Sequence, residues 1–107
     1  MKAANRSLIG VDLGGTKVAA GKVTGTTLTE QVLEKLDQSS KDPMDAVEII
    51  AQLIGRLMDD TVAGIGVGVP GLVDRQSGTV YDVLNIPNWK EIPLGSILQK
   101  RFGIPVH

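Results

Sequence analysis

The stretch Leu8–Lys17, LIGVDLGGTK, decides how the chain is read. An apolar run, Leu8-Ile9-Gly10-Val11, leads to a single acid, Asp12; Gly14 and Gly15 follow, then Thr16 and Lys17. A second apolar-rich run, Val18-Ala19-Ala20-Gly21-Lys22-Val23, starts at once. The pattern predicts strand, tight glycine turn, strand. Paired glycines permit a sharp turn with φ > 0 and let a ligand approach main-chain N–H groups. Such N–H groups, with the Thr16 hydroxyl beside them, suit phosphate oxygens. Asp12, at the end of a buried strand, suits a hydrated Mg²⁺ held on those phosphates. Lys17 either covers the sheet or meets a phosphate as a point charge.

Two familiar phosphate motifs are excluded. Gly10–Lys17 reads G-x-x-x-x-G-T-K, but a Walker loop ends in the reverse order and opens a helix, whereas Val18–Val23 has strand character. Gly66, Gly68 and Gly71 match G-x-G-x-x-G, but that fingerprint needs a helix at its third glycine. Pro70-Gly71-Leu72-Val73-Asp74 and Ser77-Gly78 read as turns and strand instead.

The remaining order is strand and helix in alternation. Leu28, Val32, Leu33 and Leu36 fall at helical spacing and, taken alone, lean towards a short amphipathic helix. Asp42-Pro43-Met44-Asp45 is a helix start, with Asp42 as cap. Val47, Ile50, Ile54 and Met58 continue it as an apolar stripe. Asp59 and Asp60 stand at the unfavourable end of that helix dipole, with only solvation to account for them. Val62–Val69 reads as a strand buried on both faces, whose glycines imply close approach by a backbone or ligand. Leu72–Val83 reads as a hairpin, Asn85–Trp89 as a loop, and Pro93–Phe102 as a short helix capped by Gly103. Ile104-Pro105-Val106 starts another strand, and Met1–Arg6 is expected to fray.

Composition bounds the function. A chain of 107 residues is one domain or part of one. Apolar residues make up 42% and aromatics 3%, so the core must be aliphatic. A net charge of −1 without a basic cluster argues against a nucleic-acid surface in this segment. No apolar run approaches ~20 residues and no signal-peptide core follows Met1, which predicts a cytoplasmic protein without a membrane segment. With no Cys, disulfides and thiolate metal sites are excluded within the chain.

DLGGTK (12–17), GIGVGVPG (64–71), NIPNW (85–89) and FGIPV (102–106), in that order, resemble the ROK family of bacterial sugar kinases and sugar-responsive repressors. The resemblance spans about residue 7 to the end. It implies an α/β fold: a truncated actin- or hexokinase-like (ribonuclease-H-like) N-terminal lobe, with residues 1–107 as a partial lobe. That lobe opens with three antiparallel strands, which makes Gln31–Asp37 the third strand, followed by helix–strand units. It also implies ATP and Mg²⁺ as cofactors, a hexose substrate with glucose as default, and a homo-oligomeric full-length parent. Asp12, Gly14, Gly15, Thr16 and Lys17 would contact the nucleotide, Asp12 through metal-bound water. Gly71 and Asn85 would contact the sugar, Gly71 by letting the ring approach the backbone and Asn85 as donor and acceptor to vicinal hydroxyls. Asn88 is a weaker candidate, and the single Trp89 reads as a loop anchor. The family's catalytic Asp lies in an NDAN-type segment expected beyond His107, as do its zinc-binding cysteines. The 107 residues alone are therefore expected to be inactive, marginally stable and prone to self-association. His107 reads as a solvated residue. The other reading is the sugar-binding part of a ROK repressor, without catalysis.

Overall fold

The computed structural model describes residues 6–107. The expected fraying of the start lies outside the described residues, apart from Arg6, which is exposed and precedes the first strand. Strands β1 (Ser7–Leu13), β2 (Lys17–Thr24) and β3 (Thr27–Lys35) form the antiparallel opening. Helix α1 (Pro43–Leu57) then crosses to β4 (Val62–Gly68), which lies parallel to β1. The sheet order is β3-β2-β1-β4. Residues 105–107 run along the free side of β4. The Ile65 N–H donates to Pro105 O at 3.0 Å, and the His107 N–H to Ile65 O at 2.8 Å. The strand expected at Ile104–Val106 therefore begins here.

Alternation along β1 puts Ser7, Ile9, Val11 and Leu13 on the face that α1 covers. Val18 and Ala20 of β2 and Ile65 of β4 join them. The helix answers with Val47, Ile50, Leu53, Ile54 and Leu57, all buried. Each such aliphatic contributes about 1.5–3 kcal/mol by leaving water. The Asp42 carboxylate accepts from the Met44 N–H at 2.9 Å, and Pro43 sits in the first turn, as expected.

Three expectations need correction. The third strand is present, but at Thr27–Lys35 rather than Gln31–Asp37. Strand β4 is hydrogen-bonded on both sides, yet only one face is covered: Gly66 and Gly68 are exposed, and a Cβ on Gly66 would meet nothing within 4 Å. The open face is floored by Gly10, Gly21, Gly64 and Gly66, with Leu8, Leu28 and Leu33 exposed around it. Asp59 has a partner after all. Its carboxylate pairs with Lys22 Nζ, a buried cation on the α1 face of β2, and accepts from the Thr61 N–H at 2.9 Å.

Beyond β4 the chain forms a small hairpin, β5 (Val73–Asp74) and β6 (Thr79–Val80), inside the expected Leu72–Val83. Trp89 anchors the next loop as predicted. It is buried, and its indole N–H donates to Val80 O at 3.0 Å. Helix α2 (Leu94–Phe102) buries Leu94 and Leu98 and ends on Gly103 at φ 71°. No helix among the described residues is long and apolar enough to cross a membrane.

Candidate functional site

The β1–β2 tip is Gly15-Thr16, closed by the Gly14 N–H donating to Lys17 O at 2.9 Å. Neither Gly14 nor Gly15 takes a positive φ, contrary to expectation. The reason for glycine here is space. A Cβ on Gly14 would stand 3.0 Å from Lys17 O, and one on Gly15 would stand 2.9 Å from the Cβ of Asn85.

The tip turns its carbonyls inward. Thr16 O accepts from the Leu36 N–H at 2.8 Å, and Gly15 O lies 3.3 Å from Gln38 Nε2. Among the described residues, no acceptor faces the N–H of Gly15 or Thr16. A trans peptide points its C=O and its N–H in opposite directions, so an inward Gly15 carbonyl sends the Thr16 N–H outward. An outward, unpaired N–H at such a tip is a donor that an anion can take.

Asp12 stands at the end of β1 on the open face, exposed, between Ala19 and Gly68 in register. Those small neighbours leave its carboxylate accessible. Among the described residues, no cluster of three or more acids or histidines could hold a metal directly. A single carboxylate beside the glycine tip fits Mg²⁺ only through that ion's water shell, its usual habit.

Lys17 pairs in register with Lys35 across β2 and β3, and both are exposed. Neither has an ion-pair partner among the described residues. Opposed like charges on a sheet are unfavourable unless an anion lies between them. Lys35 was missed in the sequence because its register with Lys17 depends on where β3 begins.

The Leu84 N–H donates to Pro70 O at 2.9 Å, so the backbones carrying Gly71 and Asn85, the two residues suspected of binding sugar, run side by side, although the two residues line different cavities. Asn85, at φ 68°, packs on Gly15 and lines a cavity of about 90 Å³ with Gln38, Asp42 and Ala46. Gly71 lines a different cavity of about 710 Å³ with Gly68, Arg75 and His107. A Cβ on Gly71 would fall 2.0 Å from Asp82 O, so the neighbouring backbone by itself requires glycine there. Asn88, at φ 64°, donates from Nδ2 to Lys41 O at 2.8 Å and ties its loop to the start of α1. Asp37, beside the tip, is held below its ordinary carboxylate pKa by the Ser39 hydroxyl and then the Ser39 N–H.

Residues 8–107 match the ROK family. The glucokinase of Thermotoga maritima is 38% identical over 99 residues, covering 90% of this chain and 31% of that protein. The putative xylose repressor of Caldicellulosiruptor sp. is 31% identical over 106 residues, covering 94% of this chain and 26% of the repressor. Among solved structures, a ROK family glucokinase from Streptomyces griseus in complex with glucose and AMPPNP superposes with a TM-score of 0.76. It is 30% identical, covering 94% of this chain and 31% of that one. This chain thus spans less than a third of the length of these relatives. The fold is that of the actin- and hexokinase-like lobe, in truncated form. The chain belongs to the ROK family.

Proposed function

We propose that this chain is the phosphate-binding part of an ATP-dependent hexose kinase, with glucose as the default substrate. The observation that carries the reading is the glycine tip: inward carbonyls on Gly15 and Thr16, an outward Thr16 N–H and an unpaired Gly15 N–H, beside the accessible Asp12 carboxylate. In this reading the Gly15 and Thr16 N–H groups and the Thr16 hydroxyl hold phosphate oxygens. Lys17 and Lys35 add positive charge nearby. Asp12 orients the water shell of Mg²⁺, and the ion neutralises charge on the transferring phosphoryl group. Asn85 and the 710 Å³ cavity at Gly71 are the two candidate sugar walls.

The family's catalytic base is expected outside residues 1–107, so the 107 residues alone are proposed to be inactive. Among the described residues, the other acids beside the tip are engaged: Asp37 with Ser39, Asp42 with Met44 and Asp45 with Ser40. The test is a chimera in which this chain replaces the matching first third of the T. maritima glucokinase. The chimera should release ADP in a glucose-dependent manner, and its Asp12→Asn variant should lose that turnover. A folded chimera that binds glucose but never turns over would favour the second reading, a sugar-sensing lobe. The xylose-repressor relative supports that alternative.

A further inference from the structure

The glycine tip has a weakness created by its own sequence. Without a Cβ, Gly15 leaves its own ψ free, but turning over the peptide that joins it to Thr16 also rotates the Thr16 φ, which a β-branched residue resists taking positive. One orientation sends the Thr16 N–H outward. The other puts a carbonyl oxygen in its place and repels an anion. Thr16 sterically disfavours the second, and a donor placed behind the tip can fix the first.

We propose that Gln38 is a positioning residue that locks the Gly15–Thr16 peptide with its N–H outward. Its Nε2 lies 3.3 Å from Gly15 O and 3.5 Å from Leu36 O, so one amide group bridges the tip to the segment behind it. The Leu36 N–H fixes the next peptide through Thr16 O at 2.8 Å. The segment carrying Gln38 is itself stiff. Ser39 bonds Asp37 through both its N–H (2.9 Å) and its hydroxyl (2.6 Å), and the Ser40 N–H donates to Asp37 O at 3.2 Å. From the far side, Asn88 Nδ2 holds Lys41 O at 2.8 Å. A donor on a stiff segment selects one orientation, because only the inward carbonyl can accept from it. The consequence for phosphate binding rests on the function proposed above; the peptide orientation does not.

The test is the direction of the Thr16 N–H vector, read from residual dipolar couplings of the ¹⁵N-labelled chain. Gln38→Glu keeps the length but sets a carboxylate against the carbonyl. Gln38→Met keeps the length without a donor, and Gln38→Lys restores one. In the Glu and Met variants the Thr16 coupling should change and the Gly15 and Thr16 amides should broaden. Couplings in β1, β2 and β4 should stay the same, and the Lys variant should recover the original value. An unchanged Thr16 coupling in both the Glu and Met variants overturns the proposal. A second arm titrates tripolyphosphate. The original chain should show shifts at Gly15 and Thr16, and Gln38→Met should bind roughly threefold to tenfold more weakly. If the original chain shows no such shifts, the phosphate reading fails while the couplings still decide the lock. Equal affinity despite an altered coupling overturns its role in binding.

Discussion

The side chain of Asn85 lies over the Cα of Gly15, so that a Cβ added to Gly15 would stand 2.9 Å from Asn85 Cβ and 3.0 Å from Nδ2. The glycine tip and the Asn85 loop are one packed unit. Gly15→Ala should destabilise the chain by about 1–3 kcal/mol through overpacking. Asn85→Gly removes the obstructing Cβ and adopts φ 68° freely, so in that background the cost should fall. A double-mutant cycle from denaturant unfolding should give a coupling on the order of 0.5–3 kcal/mol. Strict additivity would contradict the contact. In an active kinase carrying this chain, Gly15→Val should raise the KM for ATP and for sugar together, rather than for ATP alone.

Asn85→Ala leaves the tip's N–H groups in place and removes an amide that can serve sugar hydroxyls. In the chimera it should weaken sugar use by about 1–3 kcal/mol at saturating ATP. A change confined to the ATP dependence would remove Asn85 from the sugar wall.

The Lys17–Lys35 register sets stability against anion binding. Lys35→Glu should convert an opposed like-charge pair into an attractive one and raise unfolding stability by about 0.2–1 kcal/mol. The same change should weaken tripolyphosphate binding, most visibly at low salt. Stronger or unchanged phosphate binding would show that these lysines only cover the sheet.

Asp59 predicts acid sensitivity at the end of the sheet remote from the tip. Hydrogen bonds from Lys22 first, then from Thr61, lower its pKa from 3.8 to about 2 in the folded chain. A folded-state pKa below the unfolded value means the stabilisation is complete above about pH 4 and is lost as pH falls from there through about 2. Thermal midpoints across that window should drop in the original chain and flatten in Asp59→Asn. The variant should also be less stable near neutral pH, because among the described residues buried Lys22 then keeps only Glu30, at 3.9 Å, as an ion-pair partner. An identical acid profile in both chains would dismiss the pair.

The sequence made the parts with an unbroken period legible. Helix α1 was legible from its cap and its stripe, and β1 and β2 from their glycine junction. Strand β3 was not, for a specific reason. Val23 pairs with Leu28 but Lys22 pairs with Glu30, so Thr29 is an extra residue, a bulge. That insertion puts Leu28 and Leu33, five residues apart, on the same open face. Alternation is broken, and the leucines imitate helical spacing. The open glycine face of β4 was misread because an apolar run of glycine and valine looks the same whether or not something covers it. At the site, the tip was legible in GGTK, but its geometry was not. The glycines make room for Lys17 O and Asn85 rather than for left-handed φ, and contacts between distant segments leave no mark on the local pattern. Gln38 has no local signal either. Only its position behind the tip gives it a role.

The central claim is that the Gly15-Thr16 tip binds phosphate. The most direct measurement is a titration of the ¹⁵N-labelled chain with AMPPNP and Mg²⁺, following backbone amides. The account predicts saturable shifts largest at Gly15 and Thr16, extending to Asp12 when Mg²⁺ is present, and lost in Gly15→Val. Saturable shifts confined to residues away from the tip, such as Arg75 and Ser96 around the start of α2, or no shifts at all in the folded chain, would contradict it.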